Sequence, residues 1–175
     1  LIERGADPNL SAKGKSGMTR PLHEACTKAN LSLVNILLDS GVDINLWGDT
    51  EVNRKVRGGA YACGQAQGSA LHAACSGGSN DHPDHIDSSD KSRANIVKLL
   101  LDKGAKADIT NEKGWTALGL VCSRHDMSPI AYNIAKVLLD HGVDHHTPCE
   151  QYTSALEVAA RYGYEEIVQL ILKVG

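Results

Sequence analysis

The chain has 175 residues, of which 42% are hydrophobic and 22% are charged, and its net charge is -3. Binding to a nucleic-acid backbone needs concentrated lysine and arginine, so this charge argues against it. No segment approaches the roughly 18 to 20 apolar residues of a membrane-spanning helix, so we expect no membrane insertion.

The first kind of predicted element is a short apolar helix that begins after a residue suited to a helix N-terminus. A Ser or Thr side chain accepts a backbone N–H of the first turn, and proline fits the first helical position because no N–H is needed there. In chain order these starts are Pro21-Leu22-His23, Ser69-Ala70-Leu71-His72, Thr116-Ala117-Leu118 and Ser154-Ala155-Leu156.

The second kind of predicted element is an apolar helix that ends at a glycine. The residues three, four, five, seven and eight positions before the glycine are apolar, and this spacing places them on one helical stripe. A glycine past the last turn takes the left-handed conformation that ends a helix. The glycines are Gly5, Gly41, Gly104, Gly142 and Gly175, and the stripe before Gly104 is Leu101, Leu100, Leu99, Val97 and Ile96.

The two kinds of helix alternate along the chain, and the shortest repeat unit sets the period. The shortest unit runs from Gly142 to Gly175, with Leu156 opening its first helix. A single helix pair cannot bury its apolar face alone, so neighbouring pairs must stack. The length of this unit equals the period of the ankyrin repeat, which is about 33 residues.

Several short motifs recur in register with this period. They are Pro21-Leu22-His23-Glu24-Ala25, Leu71-His72-Ala73-Ala74, Gly114-Trp115-Thr116-Ala117-Leu118, Ala159-Ala160, Gly5-Ala6-Asp7-Pro8-Asn9 and Gly41-Val42-Asp43-Ile44-Asn45. Through them the chain resembles the ankyrin-repeat family over nearly its whole length. The resemblance implies an all-α solenoid of stacked helix-turn-helix units with β-hairpin fingers, about four repeats after an N-terminal half repeat. The chain departs from the family pattern at Arg20, Lys106, Gly119 and Glu157, which replace a threonine, an aspartate and two histidines.

We expect one ankyrin-repeat domain over residues 1–175. The period places a half repeat at 1–14, repeats at 15–47, 48–110, 111–147 and 148–175, and insertions at 48–66 and 77–92. Leu1 starts within an outer helix and Gly175 stops at a helix end, so we expect a fragment of a longer protein, with further repeats or domains at both ends. Residues 58–61 are similar to a variant of fungal ankyrin arrays.

The five cysteines do not form a disulfide framework. Cys26, Cys75 and Cys122 occupy an equivalent slot, held by Ala160 in the last unit, so we predict small buried hydrophobic side chains there. Cys63 and Cys149 fall in connections. The sequence therefore indicates a reduced, intracellular protein, cytoplasmic or nuclear.

Candidate metal ligands crowd two connections, but a metal site is not the favoured interpretation. His82 and His85 lie with four aspartates in the segment 81–90, which its polar composition predicts to be a solvated loop. His141, His145 and His146 crowd a second connection. A tetrahedral ligand set is not evident in either, and neither a nucleophilic elbow nor a phosphate-binding loop occurs. We therefore expect no enzyme activity, cofactor or metal.

The resemblance also implies where a protein partner would bind, namely at the finger tips and along the inner helices. The candidate contact residues are Lys28, Trp47, Glu112, Lys113, Trp115, Arg124, Gln151, Arg161 and Tyr162. Trp115 has an alternative role, packing against the adjacent finger. Asn45 fits the pattern that asparaginyl hydroxylases recognise in some members of the family, or else it satisfies backbone groups at a finger base.

The expected function is a scaffold that binds a partner protein through this surface. The alternative is a regulatory or substrate-docking segment of a larger signalling enzyme whose catalytic domain lies outside this chain. The basic run 54–57 in the first insertion either docks an acidic partner or is a solvated charge run.

Overall fold

The predicted helix pairs form along the chain, each made of a short helix and a longer one. The structure, a computed structural model, describes residues 7–14, 17–48, 68–76, 86–123, 129–149 and 152–175. In this part of the chain a β-hairpin precedes four helix pairs. The elements are β1 (Ala12–Gly14), β2 (Gly17–Thr19), α1 (Pro21–Thr27), α2 (Leu31–Asp39), α3 (Ala70–Ser76), α4 (Ile86–Asp102), α5 (Ala117–Cys122), α6 (Pro129–Asp140), α7 (Ala155–Arg161) and α8 (Glu165–Val174).

The helices stack in two rows, as a solenoid requires. The short helices α1, α3, α5 and α7 contact one another in order, and the longer helices α2, α4, α6 and α8 do the same. Each short helix also packs on the longer helix of its own pair. The all-α solenoid predicted from the repeat pattern is confirmed.

The strands β1 and β2 form the hairpin expected of a finger. They pair antiparallel, with Ala12 opposite Thr19 and Gly14 opposite Gly17. Among the described residues of two later fingers, antiparallel bridges join Gly48 to Gly68 and Cys149 to Tyr152.

The glycines end the long helices as predicted. Gly41, Gly104 and Gly142 have φ angles of 76°, 89° and 72°, which belong to the left-handed region. At Gly104 the backbone closes with two hydrogen bonds, from Ala105 N to Leu100 O at 2.9 Å and from Gly104 N to Leu101 O at 2.9 Å. These bonds satisfy carbonyl groups that the end of α4 leaves without helical partners.

The predicted N-terminal caps are present at two of the short helices. Thr116 accepts from the backbone N–H of Gly119 at 3.0 Å, and Ser154 accepts from that of Glu157 at 3.3 Å. Arg20, which replaces a threonine, makes no side-chain cap at α1. Pro21 at the first position of α1 partly compensates, because it has no N–H to satisfy.

The core lies between the two rows of helices and consists mainly of aliphatic side chains. Cys26, Cys75 and Cys122 are each 0% exposed within it, which confirms the prediction for the three cysteines, whereas Ala160 in the same slot of the last unit is exposed. Cys149, which we placed in a connection, is also 0% exposed. All four are free thiols.

Part of the second predicted insertion is helical, so the prediction of a solvated loop over 81–90 is wrong from residue 86 onward. We expected residues 77–92 to be an insertion and 81–90 a solvated loop, but α4 already begins at Ile86. The segment 86–102 contains neither glycine nor proline, so the helix extends into a polar stretch that composition alone assigned to a loop. Residues 81–85, and with them His82 and His85, lie outside the described residues, as do residues 1–6 and 49–67.

Candidate functional site

The frame of the candidate site is a series of hydrogen bonds from one repeat to the backbone of the next. His23 Nε2 lies 3.0 Å from the carbonyl oxygen of Gly68, and His72 Nε2 lies 3.1 Å from that of Trp115. Because a carbonyl can only accept, the Nε2–H donates in both pairs. At His72, Nδ1 accepts from the backbone N–H of Ser69 at 3.2 Å, which fixes the neutral tautomer.

Burial gives these histidines a structural role. His72 is 2% exposed, and the desolvation lowers its pKa to about 4. A histidine that stays neutral and spends both ring nitrogens on backbone groups has no free site for acid-base chemistry. The structure thus supports the interpretation of His23 and His72 as links between neighbouring loops.

The third repeat replaces this histidine with Gly119, and the structure shows what uses the space. A Cβ atom at position 119 would collide with Cys149 Sγ, which comes from the next finger. Cys149 Sγ also lies 3.3 Å from the hydroxyl of Thr116. A buried thiol therefore links the third and fourth repeats, where the first two repeats each use an imidazole.

Trp115 packs against the adjacent finger instead of facing solvent. Its side chain is 3% exposed, and its ring lies 5.8 Å from that of Tyr152 with an angle of 47° between the planes. The guanidinium carbon of Arg161 lies 5.8 Å from the centre of the same Tyr152 ring. Of the two roles weighed for Trp115, the structure matches the packing role. Sequence analysis did not single out Tyr152, which joins Trp115 to Arg161.

The other described candidate residues are accessible. Glu112 and Lys113 are exposed in a finger turn held by Asn111, whose side-chain oxygen accepts from the N–H groups of Lys113 and Trp115 at 3.0 and 2.9 Å. Arg161 is exposed and Tyr162 is half-buried at the end of α7. These residues lie in the third and fourth repeats.

Two further candidates lie in the first repeat. Lys28 is exposed and forms an ion pair with Glu24 of its own helix, with 2.9 Å between the charged atoms. Trp47 is 44% exposed, and its carbonyl oxygen accepts from Arg20 Nε at 2.7 Å. The remaining candidates, Arg124 and Gln151, lie outside the described residues.

Arg93 is a buried cation that sequence analysis missed. It is 1% exposed and donates to the carbonyl oxygens of Ala74 at 3.3 Å and Thr27 at 3.5 Å. These carbonyls lie near the C-terminal ends of α3 and α1, where helices favour a positive charge. Since Arg93 stands in a polar stretch of the sequence, no pattern distinguished it from a solvated arginine.

The finger bases are joined by a second repeated interaction, in which an Asn or Asp side chain accepts from the backbone of the next repeat. The distances are 2.8 to 3.1 Å for the pairs Asn9 with Asp43, Asn45 with Lys106 and Asp108 with Asp144. The amide nitrogen of Asn45 also lies 3.3 Å from the carbonyl oxygen of Gly104. Asn45 thus satisfies backbone groups, the role weighed against hydroxylation.

Of the histidines in the second crowded connection, His141 bonds to two groups of the protein. His141 donates through Nε2 to Asp102 at 3.0 Å and through Nδ1 to the carbonyl of Val137 at 2.8 Å. The hydrogen bond to Asp102 raises the pKa of His141 above its usual value. In the described part of the chain, no three His, Cys, Asp or Glu residues are grouped closely enough to hold a metal ion. Among the described helices, none has the length and apolar character needed to span a bilayer.

Comparison with known proteins finds proteins built from the same kind of repeat. A family model described as "Ankyrin repeats (3 copies)" matches residues 85–175, and a model of a single ankyrin repeat matches residues 20–49. The structure matches a solved ankyrin repeat domain from Acinetobacter baumannii AYE with a TM-score of 0.71. The match covers 99% of this chain and 72% of the chain of that domain. Its sequence is 24% identical, so this likeness concerns the fold alone.

Curated relatives come from bacteria and animals. The chain is 28% identical to the "Putative ankyrin repeat protein YahD" of Escherichia coli K12, across 100% of this chain and 71% of that protein. It is 27% identical to the "Ankyrin repeat and KH domain-containing protein mask-1" of Caenorhabditis elegans and 29% identical to the "Transient receptor potential channel pyrexia" of Drosophila melanogaster. The chain spans only 5% and 13% of these two animal proteins.

Proposed function

Because the chain belongs to the ankyrin-repeat family, whose repeats are generally protein-interaction modules, we propose that it is a scaffold that binds a partner protein. The binding site in this proposal is the recognition surface, defined by Lys28, Glu112, Lys113, Arg161 and Tyr162. Trp115 supports this surface from beneath. The four free thiols of the described residues support a reducing, intracellular location.

The observation that carries the proposal is the contrast between a fixed frame and a varied surface. Hydrogen bonds from His23 and His72 hold the fingers to one another, and the ring of Tyr152 holds Arg161. The recognition surface presents the exposed acidic and basic side chains of Glu112 and Lys113, and the half-buried ring of Tyr162 lies in the next repeat. A rigid scaffold that presents unlike side chains loses little conformational entropy on binding, which favours recognition of a protein.

Arg161 and Lys113 provide the first test, because both are exposed cations of the recognition surface. We expect the double substitution Lys113→Ala and Arg161→Ala to weaken partner capture about tenfold or more, since arginine contacts at interfaces often contribute over 1 kcal/mol. The measurement is quantitative affinity capture from the source cells with the intact protein as bait, followed by titration of the captured partner.

The matched control removes two exposed cations from the outer helices, by Lys136→Ala and Lys173→Ala. This variant should retain the partner, and the urea midpoints of both variants should match that of the wild type. If both variants lose the same affinity for the partner, binding depends on net charge. That result would contradict the recognition surface. Turnover of a small substrate by this chain would contradict a non-catalytic function.

The alternative is that the same surface serves a larger signalling polypeptide as its regulatory or docking segment. The match to a small part of two much longer animal proteins favours this possibility. The scaffold and the docking segment differ in what happens to the captured protein. The docking segment predicts that the full-length protein modifies the captured protein. It also predicts that this modification stops after the double substitution Lys113→Ala and Arg161→Ala.

A further inference from the structure

We propose that a cleft between α6 and α8, called here the Tyr132 cleft, binds an arginine side chain from a basic segment of a partner protein. The cleft is lined by Tyr132 and Asn133 of α6 and by Tyr164, Glu165, Glu166 and Ile167 at the start of α8. This inference rests on the proposed scaffold function and adds the chemical class of a ligand. The cleft adjoins the recognition surface, because Tyr162 comes two residues before Tyr164.

The cleft lies where the first turns of two neighbouring long helices meet. The helices α6 and α8 pack against each other, and the lining includes Pro129, where α6 begins, and Gly163, just before α8. Gly163 has a φ of 76°, and no described atom lies within 4 Å of the point where a Cβ atom would stand, so the space beside this turn is open. The volume of the cleft is about 480 Å³, which lies within the range of ligand-binding clefts.

Two tyrosines make the lining partly aromatic. Tyr164 is 8% exposed and Tyr132 is half-buried, and the aliphatic side chain of Ile167 is 1% exposed. A cation near an aromatic ring is attracted by the negative charge of the ring face, and arginine is the cation most often found there. The aliphatic stem of an arginine also buries well against apolar groups while its charged end stays at a polar edge.

Two carboxylates stand beside these tyrosines and are available to a ligand. Glu165 and Glu166 are exposed, and within the described residues neither side chain takes part in a hydrogen bond or an ion pair. By contrast, Glu24 is paired with Lys28 at 2.9 Å, and Glu157 accepts from the backbone N–H of Thr153 at 2.8 Å. A guanidinium group binds a free carboxylate through two parallel hydrogen bonds, which adds geometric specificity to the charge attraction.

The charge of the surroundings leaves the cleft acidic. Glu165 and Glu166 are the charged residues of the described lining. The helices α6 and α7, which pack on α8, contribute two cations and two anions, namely Lys136, Asp140, Glu157 and Arg161. The segment 124–128 before α6 has one arginine and one aspartate, and Lys173 stands at the far end of α8. Since these neighbours balance, the two negative charges of the lining favour a cationic ligand.

The position of the two carboxylates at a helix start argues against an anionic ligand. The start of a helix favours acidic side chains, so Glu165 and Glu166 also stabilise α8. That effect requires neither a cleft nor two tyrosines beside the carboxylates. Because two negative charges already occupy this helix end, a further anion would be repelled.

The same charges argue against a second copy of the chain as the occupant. In a two-fold dimer the same patch of both subunits meets, so Glu165 and Glu166 would face their own copies. Like charges brought together in an interface oppose association. A basic segment of a different protein meets no such repulsion.

The test uses peptides chosen by the protein itself. A phage library of random peptides of about twelve residues is selected on the wild-type chain and counter-selected on the double variant Glu165→Gln and Glu166→Gln. We expect the peptides that require these carboxylates to be enriched in arginine. The probes are a synthetic copy of the leading peptide and a second copy in which citrulline replaces that arginine, which keeps the shape of the side chain and removes its charge.

Binding of the peptides is measured by fluorescence anisotropy. We expect affinity to fall about tenfold or more for the citrulline peptide, for the double glutamine variant and for Tyr132→Ala. A peptide with lysine in place of the arginine should bind less tightly, because an ammonium group cannot form the two parallel bonds. In NMR, the amide resonances of Gly163 and Glu166 should shift on binding, whereas that of Gly41, at the other end of the stack, should stay.

Two matched controls separate the cleft from net charge and from folding. The double variant Asp39→Asn and Asp140→Asn also removes two exposed carboxylates, but outside the cleft, and it should bind the peptide like the wild type. Asn133→Arg places a cation at an exposed position of the lining and should weaken binding about tenfold or more, whereas Ser32→Arg, at an exposed position of α2, should not. Circular dichroism and urea midpoints check that each variant is folded.

Several outcomes would overturn the proposal. They are enrichment of acidic or uncharged peptides, no enrichment above the counter-selected background, equal binding of the citrulline peptide, or equal loss of affinity in the control variants. A dimer in sedimentation that the double glutamine variant dissociates would assign the cleft to a second copy instead.

The cleft and the scaffold function can fail separately. If the captured partner depends on Lys113 and Arg161 while no peptide depends on Glu165 and Glu166, the scaffold function stands and only the Tyr132 cleft falls. If the partner depends on neither set, the scaffold function also falls.

Discussion

At the scale of single residues, the environment decides which of several possible roles a side chain takes. Trp115 and Trp47 have the same chemistry, yet Tyr152 covers the first, and the second remains 44% exposed. His72 has the ring of a general base, but it is enclosed between Ser69 and the carbonyl of Trp115. The sequence predicted where these residues stand in the repeat. It could not predict their surroundings, because Tyr152 and the finger backbone reach them from other repeats.

The buried imidazole of His72 makes stability depend on pH. Its pKa is about 4 in the folded protein and 6.5 in the unfolded chain, so the unfolded chain binds more protons between these pH values. The stability that comes from keeping His72 neutral is fully present above pH 6.5 and is lost as the pH falls toward 4. It amounts to roughly 3 kcal/mol of the free energy of unfolding. The free energy of unfolding, measured by urea titration at pH 7 and at pH 4, should fall more in the wild type than in His72→Gln. The difference between the two falls should be about this amount.

The exposed His146 provides the control for this pH series. His146→Gln leaves His72 in place, so it should keep the wild-type loss of stability between pH 7 and pH 4. Parallel curves for the wild type and His72→Gln would contradict the prediction.

At the scale of helices, the ends are defined by backbone conformation more than by composition. Glycines end α2, α4, α6 and α7 with positive φ angles, and the pattern of the sequence predicted the first three. The start of α4 was not predictable in the same way, because a polar stretch without glycine or proline is compatible with both a loop and a helix. Buried Arg93 belongs to that stretch, and its partners Ala74 and Thr27 are distant in sequence.

The end of α1 has the same backbone geometry without a glycine. Ala29 has a φ of 52°, and the N–H groups of Ala29 and Asn30 bond to the carbonyls of Cys26 and Ala25 at 3.1 and 3.0 Å. A Cβ atom in the left-handed region costs roughly 1 to 2 kcal/mol, part of which is offset by the lower entropy of unfolded alanine. We therefore expect Ala29→Gly to raise the free energy of unfolding by about 0.5 to 1 kcal/mol in urea titrations.

The control is the same substitution at a right-handed helical position. Ala160 is exposed within α7, so Ala160→Gly should lower the free energy of unfolding by up to about 1 kcal/mol. If both variants lose stability to the same extent, the strain assigned to Ala29 is absent.

At the scale of the whole molecule, equivalent positions differ according to what lies beside them. Leu139 and Leu172 both stand three residues before a closing glycine, but Leu139 is 3% exposed and Leu172 is 63% exposed. Their difference follows from α8 covering α6, while no described helix covers the far side of α8. The repeat pattern predicted that both are apolar, and only stacking order distinguishes their burial.

This difference predicts unequal effects of one substitution. We expect Leu139→Ala to lower the free energy of unfolding by roughly 2 to 5 kcal/mol, the range for a buried leucine, and Leu172→Ala to lower it by less than about 1 kcal/mol. Chemical denaturation followed by circular dichroism measures both. Similar losses at the two sites would contradict the stacking order of α6 and α8.

Several of the hydrogen bonds that join the repeats end on main-chain atoms of the neighbour. His23, His72 and Asn45 reach the carbonyl of Gly68, the carbonyl of Trp115 and the amide of Lys106. Every amino acid has a backbone carbonyl, and all but proline have an amide hydrogen, so a mutation at the receiving position retains the bonding group itself. Each unit can thus acquire new outward side chains by mutation without requiring a compensating change next door, which leaves the array free to evolve toward new partners.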